Sequence, residues 1–216
     1  MSLSFPDARL LIFAKAPVPG RVKTRLAGQL GTRGAAALYQ KLLRRTVRIA
    51  YNARLCPIEL WCAPDARHGF FAACRQEYGV TLRRQCAGDL GRRMNRALNQ
   101  TLAAGHPAVL IGGDCASLGE TELRTAFGLL AAGHEAVLGP AADGGYVLVG
   151  LNRPCPALFR DIAWSTPTVL AATRRRLRRA GMNWAELPPG WDVDTPTDLR
   201  RLRRLSPPLP CFRLMA

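Results

Sequence analysis

Histidine and paired cysteine are almost missing from this 216-residue chain. The three histidines, His68, His106 and His134, are scattered, and none of the seven cysteines forms a C-x-x-C pair, which excludes a zinc-type ligand cluster. Walker and G-x-G-x-x-G loops are both absent, so the two familiar glycine-rich phosphate cradles are excluded. No apolar run approaches the ~20 residues of a membrane span. The run at 10–14 is too short for a signal-peptide core and follows no basic segment. The expected location is the cytoplasm. Cys56, Cys62, Cys74, Cys86, Cys115, Cys155 and Cys211 are odd in number and dispersed, which fits reduced thiols better than a disulfide framework.

Acidic residues are scarce as well: 15 against 31 Lys and Arg, for a net charge of +16. Lysine is confined to Lys15, Lys23 and Lys41, and arginine supplies the rest. Such charge attracts polyanions, so a nucleic-acid-binding module is one reading. The arginine clusters at 174–179 and 200–204, however, fall on expected helices without interleaved aromatics to stack bases, which favours solvated helix faces.

What is present is a repeated exchange of short apolar runs and helical stretches. Strands are expected at 9–15, 58–62, 80–85, 108–113, 136–139, 146–151 and 184–187. Helices are expected at 33–52 behind Thr32, at 66–78, at 90–104 behind Asp89, at 121–132, at 166–180 with Pro167 in its first turn, and from Thr195 to about 205, where Asp198 completes a capping-box-like start. Strands alternating with helices of this length predict a three-layer α/β/α sandwich on a mostly parallel sheet. The length suits one domain, 1–216, with a core at about 9–205 and an irregular Pro-rich tail at 206–216. Ligands of such sheets bind beyond the carboxyl ends of the strands.

Four segments fall at strand ends. After the first strand, Lys15, Arg21, Lys23 and Arg25 sit within eleven residues, on a loop bent by Pro17, Pro19 and Gly20. Fixed cations and backbone donors at close range suit the phosphates of a donor nucleotide; an exposed basic turn is the plain alternative. Ile111-Gly112-Gly113-Asp114 ends an apolar strand with one carboxylate. Asp114 can ligate Mg²⁺ (or Mn²⁺), which takes one or two carboxylates plus phosphate oxygens, or it can serve as a turn residue. In Trp191-Asp192-Val193-Asp194 the two carboxylates share one side of an extended segment. Asp194 is a candidate second metal ligand or a helix cap. Asp143-Gly144-Gly145-Tyr146 is a hairpin turn or an acceptor pocket, with Asp143 as base, acceptor anchor or metal ligand. Asp89 is a pocket candidate too, although the helix-cap reading is favoured there, and Arg92 beside it can approach a donor.

In order, the stretches KAPVPGRVKTRL, QCAGDLGRRM, GGDCASL, GPAADGGYVLVGL, WSTPTVL and WDVDTPTDL span about 9–205. This series resembles a bacterial family, formerly a domain of unknown function, assigned as glycosyltransferases of the nucleotide-diphospho-sugar transferase superfamily. The loop and the DVDTPTDL segment are also similar to those of small guanylyltransferases and molybdenum-cofactor nucleotidyltransferases. The resemblance implies a GT-A-like, Rossmann-like fold and a transferase using a nucleotide or nucleotide-sugar donor and a small-molecule acceptor. It implies donor phosphates on Lys15, Gly20, Arg21, Lys23 and Arg25, and metal on Asp114 and Asp194. Lys23 and Asp143 are the catalytic candidates; Asp89, Gly144, Gly145 and Tyr146 are the acceptor or pocket candidates. Two departures are visible. Gly112-Gly113-Asp114 stands where many GT-A enzymes carry D-x-D, which is closer to the nucleotidyltransferase pattern, and Ala116 replaces the proline of related G-D-x-P segments. Glycosyl transfer is therefore the leading expectation, and nucleotidyl transfer with pyrophosphate release is the alternative.

Overall fold

Arg9–Lys15 forms β1, and its side chains alternate between two apolar cores. Leu10, Ile12 and Ala14 point into one, while Leu11 and Phe13 point into the other. Both faces being buried is what makes the run continuously apolar. In this computed structural model, which describes residues 2–202 and 209, six further strands join β1. They are β2 (Ile58–Ala63), β3 (Thr81–Arg84), β4 (Ala108–Gly112), β5 (Ala136–Pro140), β6 (Tyr146–Leu151) and β7 (Trp184–Glu186). The sheet order is β3-β2-β1-β4-β6-β5-β7.

The helices are α1 (Ala27–Ala53), α2 (Gly69–Tyr78), α3 (Leu90–Ala103), α4 (Glu120–Ala131), α5 (Val169–Arg179) and α6 (Pro196–Leu202). The first core gathers α1, α2 and α4 through residues such as Leu43, Phe71 and Phe127. The second gathers α3 and α5 through Leu98 and Leu177. The result is the expected three-layer α/β/α sandwich with a mostly parallel sheet. The exception is β6, which runs antiparallel to both β4 and β5.

Several boundaries differ from expectation for local reasons. α1 begins at Ala27 rather than at 33 and is interrupted at Gly31 (φ 66°, ψ 165°), so the glycine, not Thr32, marks the break. α5 begins at Val169 because 166–168 is held in a turn, with Thr166 Oγ1 donating to the Ala163 carbonyl at 2.7 Å. Asp89 caps α3 as expected, accepting from Arg92 N at 2.7 Å. The six described cysteines are free thiols. The expected continuation of the last helix to 205, the tail at 206–216 and Cys211 lie outside the described residues. Among the described residues, no helix is long and apolar enough to cross a membrane.

Candidate functional site

The chain leaves β1 toward β2 on one side and reaches β4 on the other. That reversal opens a crevice at the carboxyl ends of β1 and β4, where open α/β sheets bind ligands. The 15–25 loop emerges from β1 on one wall, and Asp114 follows β4 on the other. Gly113 makes the approach possible: its N–H donates to the Phe13 carbonyl at 2.9 Å, and a Cβ there would lie 2.5 Å from Leu43 Cδ1 and 3.0 Å from Phe13 O.

A third segment is pinned beside Asp114. Ser117 Oγ accepts from Trp191 N at 2.7 Å and donates to the Trp191 carbonyl at 2.9 Å. Val193 is fully buried against Leu38 and Leu42 of α1 and Leu199 of α6. With Val193 anchored inward, the alternation of an extended chain turns Asp192 and Asp194 outward to the crevice. The capping task at α6 falls to Asp198, whose Oδ2 accepts from Thr195 N at 2.7 Å and from Asp194 N at 3.1 Å. The Asp194 carboxylate is thereby left for the site.

Lys23 joins the walls. Its Nζ lies 2.5 Å from Asp114 Oδ2 and 2.8 Å from Asp194 Oδ1, and its side chain is 3% exposed. Its backbone is left-handed (φ 47°, ψ 41°), uncommon for a residue other than glycine. Burial alone would lower the Lys23 pKa, but the Asp114 and Asp194 carboxylates overcome it and raise the value above that of a free lysine. Arg25 approaches Asp194 at 3.7 Å from the solvent side. Asp192 is pushed up to about 6, first by burial and then by the charges of Asp194 and Asp114.

The crevice has two joined compartments, of about 320 and 260 Å³, which share Arg25, Leu90, Asp114, Asp192 and Asp194. Lys15, Arg21, Lys23 and Arg93 line the first, and Asp143, Gly145, Tyr146, Trp164, Ser165 and Thr166 line the second. A broader, mostly apolar groove of about 880 Å³ continues from Lys15 and Arg93 past Pro64 and Cys86. The first and second compartments therefore bring together Lys15, Arg21, Lys23, Arg25, Asp114, Asp143, Gly145, Tyr146 and Asp194 of the residues anticipated from sequence. Three others are placed differently. Asp89 is spent as the α3 cap and does not line the crevice. Gly20 (φ 78°) shapes the turn without lining it. Gly144 (φ 86°) packs beneath the hairpin, where a Cβ would meet Pro167 O at 2.2 Å. Lys23 bonds the carboxylates of Asp114 and Asp194.

Other contributors were missed. Arg93 rather than Arg92 faces the crevice, because it shares a helix face with Leu90, three residues earlier. Tyr39 Oη accepts from Lys15 N at 2.8 Å and steadies the end of β1; burial, then Asp114, raises its pKa. Gln85 is buried between strand ends and donates to the carbonyls of Trp61 and Ala14. Helical phase could have indicated Arg93. Neither Tyr39 nor Gln85 carries a local motif.

The donor set suits a hard divalent cation. Asp114 and Asp194 converge on one point already occupied by the positive charge of Lys23. No preformed group of three or more His, Cys, Asp or Glu ligands exists among the described residues. Two carboxylates completed by phosphate oxygens are the usual protein share for Mg²⁺.

Known structures place this geometry in a recognised fold. A Desulfovibrio desulfuricans G20 protein, provisionally described as a nucleotide-diphospho-sugar transferase, is 32% identical, with 88% of this chain and 84% of that one covered and a TM-score of 0.78. CMP:2-keto-3-deoxy-manno-octonic acid synthetase, solved with CTP, shares the fold at 12% identity and TM-score 0.54, over 92% and 97% of the two chains. So does 4-diphosphocytidyl-2C-methyl-D-erythritol synthase from Anaerococcus prevotii DSM 20548, at 11% identity and TM-score 0.55, over 90% and 94%. The sequence matches no curated protein. A family model, uncharacterized protein conserved in bacteria (DUF2064), matches residues 46–166, more than half of the chain. With its nucleotide-diphospho-sugar transferase fold and its crevice between β1 and β4, this chain belongs to the DUF2064 family of bacterial proteins.

Proposed function

We propose that the protein is a Mg²⁺- or Mn²⁺-dependent transferase that moves a sugar from a nucleotide-sugar to a small-molecule acceptor. One observation carries this reading: a cationic loop and a pair of carboxylates face each other across one crevice, joined by Lys23. A diphosphate needs both, cations for its oxygens and carboxylates for its metal.

Asp114 and Asp194 would hold the metal, with Asp192 beside them; when bound, the ion supplies neutralising charge to the diphosphate. Lys15, Arg21, Arg25 and Arg93 bind the remaining phosphate oxygens, and their charge opposes the charge that grows as the sugar–phosphate bond breaks. Lys23 fixes the spacing of Asp114 and Asp194. The nucleoside lies in the broad groove beyond Lys15 and Arg93. Asp143 accepts from Gly145 N at 3.0 Å through Oδ1, which orients its carboxylate. Its other oxygen would anchor an acceptor hydroxyl and take its proton.

Nucleotidyl transfer is the second reading. It is favoured by Gly112-Gly113-Asp114 standing in place of D-x-D and by the shared fold of the two synthases. Incubation with a panel of NTPs and of UDP-, GDP- and ADP-sugars, with Mg²⁺, separates the two. Nucleoside diphosphate released from a sugar donor, and abolished by EDTA, is the expected outcome. Pyrophosphate released with an NTP alone as donor overturns glycosyl transfer. Asp114→Asn is expected to abolish Mg²⁺-dependent donor binding while leaving the circular dichroism spectrum unchanged. Unaltered nucleotide affinity by calorimetry would remove Asp114 from the metal site.

A further inference from the structure

We infer that the compartment on the β6 side of Asp114 receives an uncharged polyol ring, and not a phosphorylated or carboxylated group. The first argument is charge. Asp114, Asp192 and Asp194 line both compartments, and Asp143 lines this one alone. Among the described residues its lining holds one cation, Arg25, which is 70% exposed and leans toward Asp194. Lys15, Arg21 and Arg93 line the other compartment and are absent from this one. The cations therefore divide the crevice: Lys15, Arg21 and Arg93 serve a phosphate side, whereas on this side Asp143 meets an incoming anion with like charge.

The second argument is the wall. Trp164 and Tyr146 meet edge to face, with centroids 6.4 Å apart and planes at 88°. The indole can sit there because Gly91, in the first turn of α3, has no side chain; a Cβ would lie 2.4 Å from Trp164 Nε1. Ser165, next in sequence, lines the compartment from a left-handed backbone (φ 64°), a strained conformation for a residue other than glycine. Trp164 and Tyr146 line the compartment together with Asp143, Ser165 and Thr166, and so offer apolar surface for ring carbons and acceptors for ring hydroxyls. At about 260 Å³ the space lies below the roughly 300–1,000 Å³ of pockets for drug-sized ligands, so it admits one ring.

The placement of Asp143 and of the cations is independent of the donor reading. Only the ring's source, the donor's own sugar or a free acceptor, depends on the donor reading proposed above. The test is saturation-transfer NMR on the full chain with Mg²⁺ and UDP or GDP, against glucose, galactose, mannose and N-acetylglucosamine, their 1- and 6-phosphates, and glucuronate. At least one uncharged sugar is expected to bind, with its phosphates weaker by about tenfold, the effect of one modest like-charge contact. Trp164→Ala is expected to remove the signal. Because that change can disturb α3, Asp143→Asn is a second variant, expected to weaken sugar binding and to narrow the discrimination against phosphates while leaving the circular dichroism spectrum unchanged. Signals from phosphorylated or acidic sugars alone, or from none of the panel, overturn the inference. Replacing UDP or GDP by the intact nucleotide-sugar tells the sources apart: loss of the free-sugar signal means that the donor's own sugar fills the compartment, and persistence means that an acceptor does. Calorimetry with UDP and GDP is scored separately. Sugar binding without nucleotide binding would sink the donor reading and leave this inference standing; the reverse would sink this inference alone.

Discussion

At Lys23, a left-handed backbone delivers an ammonium onto two carboxylates of unequal exposure, 29% for Asp114 and 44% for Asp194. Breaking a fully buried ion pair from one side costs about 3–5 kcal/mol. Partial exposure of both acids screens the charges that remain, so Lys23→Ala is expected to cost about 2 kcal/mol in metal-free buffer. In a chain of this size that lowers Tm by roughly 4–8 °C. Millimolar Mg²⁺ or Mn²⁺ should restore part of the loss, because the vacated point between Asp114 and Asp194 calls for positive charge. Thermal denaturation of the variant with EDTA and with metal checks both parts; an unchanged Tm in EDTA would mean that the pairs contribute nothing. The cationic loop itself was legible from four basic residues after a buried strand. The inward turn of Lys23 was not, because positive φ at a non-glycine residue is set by tertiary surroundings rather than by local propensity. Arg92 and Arg93 show the same limit: their chemistry is equal, and only the phase of α3 decides which one faces the crevice.

Among the elements, the hairpin between β5 and β6 governs the second compartment. Its turn rests on the 166–168 segment through Gly144, and Gly144 O accepts from Leu170 N at 2.9 Å. Gly144→Ala meets two obstacles at once, a φ of 86° and a Cβ 2.2 Å from the Pro167 carbonyl. A loss of about 2–4 kcal/mol is expected, as for other changes that force backbone to move. Gly145→Ala is the matched comparison: its Cβ would meet nothing closer than Asp143 Oδ1 at 3.3 Å, and its effect should stay below about 1 kcal/mol. Urea denaturation of the two variants checks the contrast, and equal midpoints would show that Gly144 is not held against Pro167. The strands and helices themselves were readable because apolar period distinguishes them over runs of this length. The D-G turn announced the hairpin. The insertion of β6 antiparallel between β4 and β5 was not announced, since its pairing with β4 joins segments distant in sequence.

For the molecule as a whole, the excess of arginine is divided between the crevice and the framework. Arg174 donates two hydrogen bonds to Glu186 at 2.8 and 2.6 Å, tying α5 to β7. Arg176 binds the carbonyls of Ala157, Arg160 and Asp161, and Arg178 lies over the Trp184 ring at 5.9 Å. Arg174, Arg176 and Arg178 of the 174–179 cluster are therefore engaged within the chain. A dedicated nucleic-acid surface would need such side chains unengaged and interleaved with exposed aromatics. A net charge of +16 must still attract DNA and RNA at low ionic strength. Attraction of that general kind rests on counterion release and weakens steeply between about 50 and 200 mM salt. Gel shifts with duplex DNA, single-stranded DNA and RNA are expected to show retention at the lower concentration and none at the higher. Arg174→Gln combined with Arg176→Gln separates the two roles of the cluster. If the arginines hold the framework, the double variant loses thermal stability and keeps most of its low-salt retention, since many other basic residues remain. Retention that survives at the higher salt in the native chain, and disappears in the double variant with no change in Tm, would assign α5 to a nucleic-acid partner instead.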